Sequence, residues 1–497
     1  MKKSLLLVAV LSTLSINSAL ALPIDWSGVF GADMHYINNF RKTDDTITKN
    51  PAAKTGTQGI DSRGGNTANF QTYIFRLQPQ VIVNDGVTFK SELSTGQIRG
   101  GFMGDNSANN ADGSGNNSYY FTTPANQSGL NVNQAYMELY ADTALVKIGR
   151  MSKHYGLGVV FDDGKEAWDR FFTMYDGVEA TMRIGNFSVT PYWAKISSTG
   201  DAATGTTNAN NGVSNNKSAD VREMGVTAQY DNKNRDLVLS VLYAKRFSES
   251  GNKFYNADVS SATTLKRGKT NVTIIDAYAS KKWNKFKLAA EIPLINGDYG
   301  NVYDANTKSK IAATAYIVEA SYELNPKWTL NLHAGQINGD KGSSNKFEAM
   351  YLHPNYQIAD LMFRYYYPSI NEGGRSVFDS SITNTQYVKL ATSYSTDKWT
   401  WKFAGIMANA METAKQGSRG YHHEENYAFG NVAEKQDKSL GMEFDLGFDY
   451  RWNPNVTISG YYGYWMVGDY YSFNNDAATK IKTSDVHGGG LRATLEF

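Results

Sequence analysis

Residues 439–452 read SLGMEFDLGFDYRW, and the choice between two kinds of β protein turns on this stretch. Successive side chains on a strand point to opposite faces. Leu440, Met442, Phe444, Leu446, Phe448, Tyr450 and Trp452 therefore share one face, and Glu443, Asp445, Asp449 and Arg451 the other. A soluble sheet would turn its apolar face to a second sheet and its charged face to bulk water. A membrane barrel turns the apolar face to lipid and the charged face to a wet lumen.

The ends and the composition of the chain bear on that choice. Lys2 and Lys3 precede an apolar run from Leu5 to Leu11, followed by the small residues Ala19 and Ala21. These are the three regions of a secretory signal peptide, so residues 1–21 are expected to be removed, leaving 22–497 as one domain. The apolar run is interrupted by Ser12, Thr13 and Ser15 too early to span a bilayer comfortably. The sequence has no cysteine, which excludes a disulfide scaffold and a thiolate metal site. A net charge of +1 provides no global field for a polyanion, so nucleic acid is not an expected partner. No later stretch approaches the roughly 18 apolar residues of a membrane helix. With 32 Tyr and 23 Phe against 10 Pro, the composition instead favours long regular strands.

Alternation recurs from end to end, and the strands come in pairs. YIFRLQPQVIV and VTFKSELSTG flank Asn84-Asp85-Gly86, a strong hairpin signal. Similar tight turns fall near 142–144, 185–186, 231–235, 284, 325–326, 397–398 and 453–454, making eight. Between the hairpins lie nine polar segments: 38–68, 97–130, 152–174, 197–220, 248–270, 297–310, 338–384, 412–437 and 470–485. Seventeen connections imply 18 antiparallel strands, with both termini at the end carrying the short turns, as bacterial outer-membrane barrels require. QIADLMFRYYY (357–367) is a candidate further strand that, with a partner, would raise the count to 20.

Tryptophan provides a separate check, because Trp and Tyr collect where lipid meets water. Trp283, Trp328, Trp399, Trp401 and Trp452 flank short turns and Trp26 begins the first strand, so six of nine mark one rim. The closing GGGLRATLEF places Leu491, Ala493, Leu495 and Phe497 toward lipid and Arg492, Thr494 and Glu496 inward. All of this predicts an all-β transmembrane barrel of about 18 strands, with short periplasmic turns and long outer loops. Closure satisfies the backbone groups that lipid cannot.

Three patches resemble Gram-negative outer-membrane porins. NQAYMELYADTALVKIGRMSKHYGLG (133–158) resembles the porin hairpin that turns back through a Val-basic-Ile-Gly-Arg run, and DGVEATMRIGNF the strand that resumes after the constriction loop. SLGMEFDLGFDYRWNPNVTISGYYGYWMVGDYYSF (439–473) is similar to the closing hairpin of alginate-export-type substrate porins. The terminal Phe497 resembles the signal read by the barrel-assembly machinery, which becomes an expected partner alongside outer-membrane lipids. The resemblance implies that residues 152–174 fold inward as a constriction loop carrying Asp162, Asp163, Lys165, Glu166, Asp169 and Arg170. The Pro-Glu-Phe-Gly-Gly element common in that loop is absent here. General porins imply a homotrimer and alginate-export relatives a monomer, and no interface signature in the chain chooses between them.

Taking the side opposite each apolar stripe gives nine bases facing the lumen: Arg76, Lys90, Lys147, Arg183, Lys287, Lys389, Lys402, Arg451 and Arg492. Twelve acids face it too: Glu92, Glu138, Glu179, Glu223, Asp276, Glu291, Glu319, Glu323, Glu443, Asp445, Asp449 and Glu496. A water-filled barrel needs such charges to stay wet whatever it carries. Their balance predicts a mild cation preference, muted by a screening length of about 8 Å at physiological salt. The expected function is a passive channel for ions and small hydrophilic solutes. A substrate-selective or polysaccharide-export porin, an adhesive or enzymatic barrel, and a soluble glycan-binding protein are the alternatives.

Catalysis is not expected, because no Gly-x-Ser-x-Gly element accompanies the seven histidines, among them His154, His333 and His353. His422-His423-Glu424-Glu425 is a loop cluster whose adjacent residues do not form a closed cage, so no metal is expected. The Asn-rich run 104–118 lacks the ligand spacing of a calcium loop, and no cofactor is expected. Strand pattern begins at Trp26, so no N-terminal plug domain is expected.

Overall fold

The computed structural model describes residues 23–42, 67–96, 99–103, 130–197, 221–248, 270–304, 307–343, 345–367, 377–424, 427–473, 475 and 482–497. The expected signal segment and the Asn-rich runs 104–118 and 201–216 lie outside them. Eighteen long strands form the wall: β1 (Ile24–Asn38), β2 (Thr67–Asn84), β3 (Val87–Thr95), β4 (Leu130–Tyr140), β5 (Ala144–Ser152), β6 (Met174–Ile184), β7 (Phe187–Ser197), β8 (Val221–Asn232), β9 (Leu237–Ser248), β10 (Asn271–Trp283), β11 (Phe286–Asp304), β12 (Thr307–Asn325), β13 (Trp328–Ile337), β14 (Thr385–Ser395), β15 (Trp399–Ala410), β16 (Ser439–Asn453), β17 (Val456–Val467) and β18 (Val486–Glu496). Two short strands, Gly100–Phe102 and Lys346–Phe347, attach to this sheet, on β2 and β12 respectively.

Each wall strand pairs antiparallel with its successor, and β1 pairs with β18 to close the barrel, with Gly31 opposite Thr494. The Gly28 amide donates to the Phe497 carbonyl at 2.8 Å and the Phe497 amide returns to Gly28 at 3.1 Å, so the last residue belongs to the seam. Every expected short turn is present. Several are fixed by an asparagine that mimics a backbone turn: Asn84 accepts from the Gly86 amide, Asn325 from Lys327 and Asn453 from Asn455, each at 2.9 Å.

The alternation resolves as read. Met442, Phe444, Leu446 and Trp452 are exposed on the outer surface, while Glu443 is fully buried inside. The six rim tryptophans, Trp26, Trp283, Trp328, Trp399, Trp401 and Trp452, all lie exposed at the short-turn end. Among the described residues no helix is long and apolar enough to cross a membrane.

Two expectations are corrected, and the alternative of 20 strands is ruled out. The polar segment 297–310 is not all loop: its described residues 297–304 and 307–310 belong to β11 and β12, which pair as far as Asp304 opposite Thr307. Residues 357–367 form no strand, and the wall holds 18 strands and not 20. Leu440 does not face lipid. A register shift between Ala408 and Asn409 and a positive φ of 111° at Gly441 rotate the start of β16, and Leu440 turns inward. The fully buried apolar side chains Ile358, Leu361 and Met362 belong to a core inside the barrel, fed by the long connection between β13 and β14.

Candidate functional site

Two loop segments enter the lumen and interlock there. The first is the expected constriction loop, now bounded as 153–173 between β5 and β6. It crosses from one wall to the opposite one. On the first side the Tyr155 hydroxyl donates to the Asp276 carbonyl at 2.8 Å, and the Leu157 amide donates to the Glu291 carboxylate. On the far side Arg76 and Arg99 both donate to the Gly164 carbonyl at 2.6 Å, Arg76 also reaches the Glu166 carbonyl at 2.7 Å, and Trp168 Nε1 donates to Thr494 Oγ1 at 2.8 Å. Two glycines make this seating possible. Gly156 and Gly164 have φ of +61° and +65°, and a Cβ would collide with the Glu291 carboxylate at the first and the Arg99 guanidinium at the second.

The second segment, 353–367, comes from the connection between β13 and β14. Its anchor is Glu443, whose two carboxylate oxygens accept the Leu361 and Met362 amides, each at 2.6 Å. Charge-assisted bonds of this kind are the strong ones. Farther along, the Tyr365 hydroxyl lies 2.5 Å from that of Tyr461, which in turn meets His35 Nδ1 at 2.7 Å. The segments meet where the His353 amide donates to the Val159 carbonyl at 2.8 Å and Asn355 donates to Asp162 at 2.7 Å and to the Phe171 carbonyl at 2.8 Å. They form one partition across the barrel.

The sequence-derived candidates divide into two groups on this geometry. Arg76, Glu92, Glu291, Glu443 and Arg170 are buried. Glu92 is bridged to Arg99 at 2.9 Å. Arg170 donates to Thr72 Oγ1 at 2.5 Å and stacks on Phe378, which places it behind the loop and off the water-filled side. Asp445 lies beside Glu443 and accepts the Asp360 amide at 3.3 Å, so it serves the same anchor. The second group stays wet. Arg183 and Lys287 are exposed near the short-turn mouth, Lys90 pairs with Glu138 at 3.0 Å, and Asp449 pairs with Lys402 at 2.6 Å. Asp162, Lys165, Glu166 and Asp169 remain on the loop, where Asp163 is buried and bridged to the exposed Lys165 at 2.7 Å and Asp169 accepts the Glu166 amide at 2.9 Å.

The loop groups titrate unusually for physical reasons. Burial, helped by the neighbouring Asp162 carboxylate, pushes Asp169 up to about 7. Burial also opposes ionisation of Asp162, but His154, Asn355 and the Gly164 amide hold it down to about 2. His154 is raised in turn by its bond to Asp162. Burial lowers Lys153 to about 7, with its ammonium 3.3 Å above the Tyr192 ring.

Sequence reasoning missed Asp33, His35, Arg99 and Trp168. Asp33 and His35 were legible, because they alternate with Met34 and Tyr36 along β1 and so must point inward. Arg99 and Trp168 sit in loops, where no local period marks a direction. His423 is buried and accepts the Asp340 amide at 2.8 Å, so it is part of the loop packing. Among the described residues His154, Asp162 and Asp163 alone bring three possible metal ligands together, and Lys165 already neutralises Asp163 there.

No protein-family model and no curated protein matches the chain. Among solved structures it is similar to the outer membrane protein OpdK of Pseudomonas aeruginosa, at 12% identity over 95% of this chain and 99% of that one, with a TM-score of 0.46. OccK11 (OpdR) of Pseudomonas aeruginosa is similar at 9% identity over 95% and 96%, TM-score 0.46. OmpT, an outer membrane protein of Vibrio cholerae, is similar at 10% identity over 95% and 97%, TM-score 0.36. The barrel itself is defined by its own strand pairing.

Proposed function

We propose that this chain is an outer-membrane porin, a passive channel that admits ions and small hydrophilic solutes past a two-loop partition. The observation that supports it most is the partition's construction. Buried lumen charges fix loops 153–173 and 353–367 across an 18-stranded barrel, which left unfilled would hold a wide aqueous channel. The work of such a site is sieving by width and orientation of polar solutes by charge.

Burial changes the sign of the charge balance. Of the twelve lumen acids, Glu92, Glu138, Glu223, Asp276, Glu291 and Glu443 are buried; of the nine bases only Arg76 is. On the wall itself, bases therefore outnumber acids among the residues left unburied. Arg183, Lys287, Lys389 and Arg451 form no ion pair among the described residues. In place of the cation preference counted from sequence, we propose a weak anion preference, limited by salt screening.

Acidity should modulate it. Asp169 is neutral below about 7 and anionic above, and His154 is cationic below its raised value and neutral above. Raising the pH from 5 to 9 thus adds a negative charge at Asp169, and any deprotonation of His154 over that range acts in the same direction, so the anion preference should weaken. Linkage runs the same way. An acid raised in the folded state stabilises the loop below its ordinary range and loses that contribution as pH rises through about 7. The measurement is the reversal potential of single channels under a salt gradient at both pH values. A cation-selective potential at pH 5 would overturn the polarity. Absence of openings in inserted, heat-modifiable protein would overturn diffusion itself.

A further inference from the structure

A passage through the lumen makes no use of a cleft of about 680 Å³ on the outside of the wall, at its long-loop end. Its lining comes from β9–β12 and the short strand Lys346–Phe347. Lys245, Lys310 and Lys346 supply three ammonium groups, and Asn271, Thr273 and Asn296 supply amide and hydroxyl groups. Strand alternation sets the outward direction. Lys245 follows the exposed Val241 and Tyr243, while the intervening Leu242 and Ala244 are buried. Lys310 likewise lies between buried Ser309 and Ile311, and Thr273 between buried Val272 and Ile274. In the register Lys245 stands opposite Thr273, Thr273 opposite Asn296, and Lys310 opposite Lys346, so these side chains share one face.

The height of the cleft on the wall says what it meets. Ten positions along β10 separate Thr273 from Trp283 in the short-turn girdle. At about 3.3 Å each and a tilt of about 40°, they rise about 25 Å, which is the height of the apolar band of such a barrel. The same face below the cleft is apolar, with Val241, Tyr243, Ile275, Ile292 and Tyr316 exposed on it. The cleft thus opens where acyl chains end and headgroups begin, on the long-loop side.

Cations collect on this side of the barrel. Arg150, Lys195 and Arg222 also point outward at the long-loop ends of β5, β7 and β8, with Asp176 opposite both Arg150 and Lys195. Around the rest of that end, β13–β15, β18 and β1 present Gln336, Gln386, Asn409, His487 and Asn38. Inside the cleft, Lys245 is exposed and joins no ion pair among the described residues. The Lys310 ammonium lies 3.9 Å from Asp298, the one acid of the lining, and Lys346 is held by Glu348 at 2.5 Å. Ammonium groups act as point charges toward phosphate, and neighbouring amides and hydroxyls bond its oxygens.

We propose that the cleft seats the phosphate-bearing headgroup of an outer-leaflet glycolipid, of the lipopolysaccharide class. The occupant is a lipid because the cleft runs directly into the lipid-facing surface, where Tyr243 and Ile275 would take its acyl chains. The inference rests on the outer-membrane placement within the porin reading and does not depend on conduction.

Native mass spectrometry of the full-length protein in detergent tests it, with diphosphoryl lipid A, dephosphorylated lipid A and inorganic phosphate as probes. One diphosphoryl lipid A held per chain is expected. The dephosphorylated form should bind at least about tenfold more weakly, and inorganic phosphate in about hundredfold excess should not displace the lipid. Replacing two lysines together, Lys245→Gln with Lys310→Gln, should weaken binding about 25-fold, at about fivefold for each charge near the membrane surface. Asp298→Asn should strengthen it. Lys398→Gln removes the same charge from a turn at the opposite rim and should leave binding unchanged. Heat-modifiable migration checks that each variant is folded. Equal binding of both lipids would mean an apolar collar without a phosphate site, and displacement by inorganic phosphate would mean a site for free phosphate. A double variant that binds like the parent, or Lys398→Gln losing as much, would put the lipid elsewhere. Each of these outcomes overturns the assignment. Planar-bilayer conductance of the same preparation separates the two ideas: a conducting barrel that holds no lipid A sinks only the cleft, and lipid A held by a non-conducting barrel sinks only the channel.

Discussion

Replacing residues 155–170 with a short Gly-Ser linker is expected to raise single-channel conductance several-fold. An 18-stranded wall encloses a wide lumen, and conductance follows the cross-section of its narrowest part. Loop 153–173 spans that section from Glu291 to Thr494 and also supports the second segment through Val159, Asp162 and Phe171. Its removal should therefore take away one obstruction and loosen the other. The wall should survive, since no wall strand is cut and the groups that hold the loop on its two sides, the Asp276 carbonyl and the Arg76 guanidinium, belong to intact strands. Planar-bilayer recording of the deletion beside the parent protein reads the effect. Equal conductance would place the limiting constriction in segment 353–367 alone.

The second large effect should follow Glu443→Leu. The carboxylate holds two buried amides at 2.6 Å, and leucine would leave both without an acceptor. At about 1–3 kcal/mol for each unpaired buried amide, the seat of segment 353–367 should weaken by about 2–6 kcal/mol, less what is regained by separating Glu443 from Asp445. Since about 1.4 kcal/mol is a tenfold change in an equilibrium, the unseated state should rise by one to several orders of magnitude. Recordings should show frequent large-conductance excursions, and protease should cut near residues 360–362 faster than in the parent. Glu443→Gln retains one acceptor oxygen and should fall between the two. Quiet traces and unchanged cleavage in Glu443→Leu would show that the apolar burial of Ile358, Leu361 and Met362 holds the segment without the carboxylate.

How far the chain could be read without its structure follows from the range of each interaction. Strand direction, the inward carboxylates at Glu443, Asp445 and Asp449, the outward Phe444 and Leu446, and the short turn at Asn84-Asp85-Gly86 were legible. Each is set by residues within a few positions, through the two-residue period of a strand or the self-bonding of an asparagine. The same period marks Asp33 and His35. It cannot say what an inward charge will touch. Glu291 and Glu443 read as wet lumen residues, and they are dry anchors because Leu157 and Leu361 arrive from 134 and 82 positions away. The run at 357–367 is apolar enough to suggest a strand, yet its Leu361, Met362 and Tyr365 are satisfied by burial inside a barrel that other residues build. Polar composition made 297–310 look like a loop, and pairing between β11 and β12 overrode it. The sequence by itself determined the wall: a closed sheet with one apolar and one charged face, its turns and its strand number. Only the tertiary structure decided what fills the wall. Loop placement depends on contacts across the lumen, and the burial those contacts impose selects which charges still face water.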